Sequence, residues 1–230
     1  MRMHPLDNVI WTALKTRHTR FAERFRQARR FVREVSPLTA FLDPSPDGYS
    51  SLAGLVGANG TASLFLDEPY QPRNGWNVLG GAPLLQMICD NGDGSASSQE
   101  TKLPITELGP ADSADMLALT ALTKPGPFGS RTHELGTYLG IRSDGQLIAM
   151  AGERLKVPGH TEISAVCTHP DHAGKGYARI LMNELMHRAR RRREIPFLHV
   201  RKDNTRAIAL YEHMGFRTRR LLHYVVLQHG

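Results

Sequence analysis

The sequence predicts an α/β chain built on a mixed sheet, and two observations carry that expectation. From residue 103 onward, apolar runs of strand length alternate with segments of helical periodicity in the order β-α-ββ-β-α-β-α-β. Within that series "HPDHAGKGYARILMNEL", His169–Leu185, joins a strand to a strongly patterned helix through a glycine-rich turn.

The elements follow in chain order. A helix is expected over about Pro5–Lys15. A second is expected over about Arg20–Glu34, where Phe21, Phe25, Ala28 and Val32 recur at helical spacing. "SPLTAFLDPSPDG" breaks that pattern with its prolines and glycine. The short apolar runs "LAGLV", "ASLFL", "WNVL" and "PLLQMIC" are punctuated by Gly, Pro and Asn and read as strands. "DNGDGSASSQETK", Asp90–Lys102, is the most loop-like stretch, and it divides the chain into domains 1–98 and 99–230.

In the second part, "LPITELGPADSADMLALTAL" reads as strand, turn and helix, with Asp112 or Ser113 as the cap. "GTYLGIRSDGQLIAMAGERL" is a hairpin around Ser143-Asp144-Gly145. "HTEISAVCTHP" is a strand ending at Pro170. The helix after it, from about Gly176 to Arg191, carries Ala178, Leu181, Met182, Leu185, Met186 and Ala189 as one apolar stripe. "IPFLHVRKDN" is a strand. "TRAIALYEHMGF" is a short helix with Asn204 as N-cap and Gly215 just past its end, and "LLHYVVLQ" closes as a strand.

Composition narrows the function classes. The chain is 40% hydrophobic and 22% charged, as ordinary soluble proteins are. It has no apolar run long enough for a membrane span and no apolar signal core near its start, so no membrane partner and no export are expected. Cys89 and Cys167 stand far apart with no CxxC, which fits a reduced cytoplasmic protein and no structural zinc. The net charge of +7 concentrates in Arg17–Glu34 and His187–Glu194. No aromatic residues interleave with the second cluster and no helix-turn-helix, zinc-finger or RNA-sheet motif accompanies it, so nucleic acid is not the expected partner. "RARRRR" sits where it complements the negative end of the helix dipole.

The glycine-rich turn is the sharpest signal. The first N–H groups of a helix have no internal partner and carry a partial positive charge. Gly174 and Gly176 let an anion approach the backbone, and Lys175 adds charge, so a pyrophosphate fits. The turn is not a GxxxxGK[ST] loop, and G-x-G-x-x-G fails at Arg179.

"AVCTHPDHAGKGYARILMNEL", followed by "NTRAIALYEHMGF", resembles the GNAT superfamily of N-acetyltransferases over about Leu103–Gln228. The family loop reads [R/Q]-x-x-G-x-[G/A]; here it is Ala173-Gly174-Lys175-Gly176-Tyr177-Ala178, departing at its first position. The resemblance implies a mixed, mostly antiparallel sheet flanked by helices, preceded by a degenerate α/β N-terminal domain similar to that of the glycine N-acyltransferase-like group. In that group the first half shapes the acceptor site or a subunit contact, which makes a homodimer an expectation. The resemblance also implies acetyl-CoA as co-substrate, no metal, and a primary amine of a small molecule or protein N-terminus as acceptor, attacked directly in a ternary complex. Val166, Cys167 and Thr168 are then expected along the pantetheine arm. Gly174, Lys175, Gly176, Tyr177, Ala178 and Arg179 are expected around the pyrophosphate, with Asn204 at the cofactor and Tyr211 as general acid. His199 occupies the place where related bacterial protein-N-terminal acetyltransferases carry a Glu, and is the first candidate base; Glu162 is its rival and Glu153 a third. Ala173 leaves room for an alternative, a catalytically silent acyl-CoA-binding or regulatory module.

Overall fold

The structure, a computed structural model, describes residues 4–90 and 104–230. α1 (Val9–Lys15) buries Val9, Ile10, Trp11, Ala13 and Leu14. The second expected helix is instead a hairpin. β1 (Ala22–Phe25) pairs antiparallel with β2 (Ala28–Phe31), Ala22 opposite Phe31 and Phe25 opposite Ala28. Arg26 turns the chain in the left-handed region, with φ of 46°. Long-range packing explains the difference. Phe21 and Phe31 join the apolar cluster of Leu14 and Leu38, whereas Phe25 stays 40% exposed. A helix would place Phe21 and Phe25 on one face, and tertiary burial overrides so weak a local preference. β3 (Thr39–Phe41) completes the small sheet β1-β2-β3.

"LAGLV" also departs from expectation, since it belongs to α2 (Pro46–Val56). The Ser45 hydroxyl accepts a hydrogen bond from the Gly48 N–H at 3.1 Å. Pro46 takes the first helical turn, where a missing N–H costs nothing. Tyr49, Leu52 and Val56 are buried in one cluster with Ala62, Leu64 and Val225.

The remaining elements are β4 (Thr61–Leu66), β5 (Trp76–Ile88), β6 (Ile105–Leu108), α3 (Ser113–Thr123), β7 (Tyr138–Ser143), β8 (Gln146–Val157), β9 (His160–Thr168), α4 (Tyr177–Arg191), β10 (Ile195–Arg201), α5 (Thr205–His213) and β11 (Arg217–His229). "WNVL" and "PLLQMIC" are the two ends of the single long β5. From Ile105 onward every element appears in the predicted order. Asp144 and Gly145 turn the β7–β8 hairpin with φ of 51° and 82°.

Among the described residues, β4 to β11 form one sheet in the order β4-β11-β5-β10-β9-β8-β7-β6. Only β9 and β10 pair in parallel. The α4 stripe of Leu181, Met182, Leu185 and Met186 packs on this sheet with Ile148, Ala149 and Leu198. Much of the arginine run is tied down. Arg188 pairs with Glu184 and Glu107, and Arg192 with Glu153 and Glu194.

The expected boundary at residues 98 and 99 lies outside the described residues, and strands from both sides of it share the sheet. β5 sits between β10 and β11, with Ile88 opposite both Phe197 and Arg217. A fragment of residues 99–230 therefore lacks the strand that joins its last two. It should unfold without a cooperative transition in urea, while the full chain shows one. A sharp transition from the fragment would contradict this.

Candidate active site

The site begins where two parallel strands part. β9 and β10 pair only at His160–Ile195, Thr161–Pro196 and Glu162–Phe197. Beyond that point they diverge around a cavity of about 850 Å³, lined by Ile163–Thr168 on one side and Leu198–Arg201 on the other. β9 carries an irregularity at the same place. Met150 faces Cys167 and Gly152 faces Ser164, so β9 holds one extra residue, and Ala165 has φ of 53°. A bulge of this kind takes backbone out of the ladder and re-aims it.

Gly174 to Arg179 line the same cavity. Gly174 and Gly176 have φ of 80° and 79°, a conformation that glycine adopts without strain. A β-carbon at Gly174 would meet no atom within 4 Å, so the turn faces open space. Gly176 caps α4 without any side-chain hydrogen bond, which leaves the first turn's donors to a ligand. Lys175 Nζ lies 3.4 Å from His172 Nδ1.

α5 supplies another wall. The Asn204 side-chain oxygen accepts from the Ala207 N–H at 3.1 Å and so starts the helix. Asn204, Ala207, Leu210 and Tyr211 all line the cavity. The Tyr211 hydroxyl has no protein partner among the described residues, and burial pushes its pKa up to about 12. It is a phenol held in its protonated form. Cys167 also lines the cavity, but burial raises its pKa to about 11, which leaves little thiolate for nucleophilic attack.

The candidate bases are placed differently from one another. His199 lines the cavity, with a side chain only 2% exposed and both ring nitrogens engaged. Nδ1 lies 2.7 Å from Glu162 Oε1, and Nε2 lies 3.1 Å from the Gln86 side-chain nitrogen. Gln86 is oriented by its other contacts: its oxygen accepts from Arg219 at 2.8 Å and its nitrogen donates to the Leu6 carbonyl at 3.1 Å. This assigns the proton to Nδ1 and spends the Nε2 lone pair on Gln86.

Glu162 is fully buried and does not line the cavity. Arg154 donates to both its oxygens, at 2.9 and 2.7 Å, and the Leu155 N–H adds a third bond. Burial alone would raise its pKa, but the Arg154 guanidinium and the His199 hydrogen bond together hold it down at about 2. A general base titrates near working pH and reaches its substrate, and Glu162 is placed away from both conditions. Glu153 lies outside the cavity lining, paired with Lys156 and Arg192. Sequence reasoning missed Arg154. The signal was a lone arginine inside the apolar run "LIAMAGERL".

These groups set the acid stability. The buried His18, whose Nε2 accepts from the Lys156 N–H, has its pKa lowered from 6.5 to about 4 by desolvation. The unfolded chain takes up that proton first, so stability falls as the pH drops from 6.5 toward 4. Glu162 is the opposite case: its contribution is complete above 4.5 and is lost as the pH falls to about 2. Urea midpoints measured from pH 7 to 3 should fall in two stages, and His18→Gln should flatten the upper one.

Known proteins resemble this chain in sequence and fold. The FR47-like protein family matches residues 138–225, which include the bulge, the glycine turn and Tyr211. A protein from Novosphingobium aromaticivorans, whose crystal structure is described as a GNAT-family acetyltransferase, is 36% identical; the match covers 99% of this chain and all of that one, with a TM-score of 0.89. The N-alpha-acetyltransferase RimI of Mycobacterium tuberculosis is 39% identical over 83 residues. That match takes in 35% of this chain, and the chain spans about half, 51%, of RimI's length. A GCN5-related N-acetyltransferase from Kribbella flavida, 16% identical with a TM-score of 0.65 over 97% of this chain and 96% of its own, shares the fold. At 36% identity over 99% of this chain and the whole of the Novosphingobium protein, this chain belongs to the GNAT family of acetyltransferases.

Proposed function

We propose that the chain transfers the acetyl group of acetyl-CoA to a primary amine by direct attack within a ternary complex. The observation that carries this is the cavity between β9 and β10, with the glycine turn lining it and on its wall the Tyr211 hydroxyl, unpartnered among the described residues. The residues fit the co-substrate. Among the described residues, the lining contains Lys175, Arg179, Arg201 and Arg206 but no Asp or Glu, which suits a polyanion. The parted strands offer backbone along Val166, Cys167 and Thr168 for an amide-rich arm.

When bound, the thioester supplies an activated acyl group. The chain holds it beside the amine, and the Tyr211 hydroxyl gives a proton to the departing sulfur. Among the described residues, no carboxylate lines the cavity to take the amine's proton. Lys124 and Arg154 line it, and like charge disfavours the ammonium form, so the amine enters neutral. His199 and Glu162 serve by fixing Arg154. The limb of the pH–rate profile at low pH should therefore move with the pKa of the acceptor amine rather than stay put.

A silent acyl-CoA-binding module is the second reading, favoured by Ala173 in the turn. Two measurements separate the readings. Acetyl-CoA at about 100 times its Kd should add about 2.7 kcal/mol of stability, a rise in Tm of roughly 5–10 °C for a chain of this size. Thiol release in the presence of an amine marks the enzyme, and a Tm rise without release marks the silent module. Cys89 and Cys167 are free and buried, which supports a reducing, cytoplasmic setting.

A further inference from the structure

The identity of the acceptor can be taken one step further, on the reading that acetyl-CoA occupies the glycine-turn side of the cavity. Away from that turn, the N-terminal segment supplies apolar wall: Leu38, Phe65, Ala82 and Leu84. Phe65 stacks near His199 at 4.7 Å and Tyr224 at 6.0 Å between ring centres, so these walls close on the His199–Glu162–Arg154 chain. Among the described residues, no Asp or Glu lines the cavity. A polyamine or aminoglycoside would bring several positive charges there and find no carboxylate partner among the described residues that line it.

Arg154 offers the opposite. Its Nε and Nη2 grip Glu162, while Nη1 has no protein partner among the described residues. The residue is 8% exposed, and it lines the cavity. Its fork is held still from behind, because Glu162 is itself fixed by His199 and the Leu155 N–H. An immobilised, mostly buried guanidinium with a free edge on the cavity is suited to a carboxylate.

We propose that the acceptor is a free α-amino acid with an apolar side chain, its carboxylate on the outer edge of Arg154 and its side chain against Leu38, Phe65 and Leu84. The neutral amine nitrogen forms a bond to the acetyl carbon, and the C–S bond breaks with its electron pair left on sulfur. Tyr211 protonates the sulfur, and the proton shed by the nitrogen returns to the tyrosinate through solvent. The products are the N-acetyl amino acid and the free thiol.

The test uses the full chain, with acetyl-CoA affinity from calorimetry and thiol release from an acceptor panel. The panel is leucine, methionine and phenylalanine, each beside its amide, with 3-methylbutylamine, spermidine and a leucine-headed tetrapeptide. Each acid should exceed its amide in kcat/KM by roughly 30-fold or more, as expected for a desolvated charge pair. The amide's amine is the less basic, so ionisation cannot create that preference. Arg154→Lys should bring the ratio toward one with acetyl-CoA affinity unchanged. If that variant does not fold, the acid-to-amide ratio of the native chain decides alone. Equal rates for acid and amide, preference for spermidine or the tetrapeptide, or acetyl-CoA binding with no turnover of these acids each overturn the proposal. Absence of acetyl-CoA binding removes the underlying reading as well, which distinguishes the two failures.

Discussion

Gly176→Asp should lower the affinity for acetyl-CoA by roughly 100-fold or more. Gly176 has φ of 79°, where an L-residue costs about 1–2 kcal/mol. The new carboxylate would also stand at the first amides of α4, in the place of the phosphate charge they would otherwise meet. Gly176→Ala separates the two effects, since it keeps the strain and omits the charge; it should cost about tenfold. Calorimetry decides. Unchanged affinity in the aspartate variant would show that the turn does not hold the pyrophosphate.

Tyr211→Phe should lower kcat by roughly 10²-fold while leaving folding and acetyl-CoA affinity intact. The hydroxyl makes no protein hydrogen bond among the described residues, so its removal leaves no buried group unpaired, and the ring keeps its place near Phe216. A thioester whose thiol is more acidic needs the proton less, so the deficit should shrink with such a donor. Normal kcat in the phenylalanine variant would end the general-acid role. A fall in Tm would instead mean that the hydroxyl supports the fold.

The C-terminal half was legible because its signals are local. Asp144-Gly145 writes a hairpin turn, Asn204 writes a cap, and the α4 stripe writes a helix with one buried face. The N-terminal part misled for the opposite reason. Phe21, Phe25, Ala28 and Val32 mimic a helical face, but the hairpin they form is chosen by Leu14 and Leu38, which no local window contains. Ser45-Pro46 was a readable start for α2 that the surrounding prolines obscured. Within the site, residue types identified Tyr211 and the glycine turn. They did not separate Glu162 from His199, because burial under Arg154 is a property of the assembled sheet.

The placement of β5 also has a consequence for how the molecule is made. β5 ends at Ile88, whereas its neighbours β10 and β11 begin at Ile195 and Arg217. On the ribosome it emerges long before either neighbour exists. Leu84, Met87 and Ile88, all buried in the finished sheet, wait without partners while most of the chain is still being translated. Pairings so distant in sequence form slowly, and unpaired strands invite association with other chains. β11, the later of the two neighbours to be made, closes the sheet around β5, and nascent chains halted before Arg217 should be the aggregation-prone species during expression.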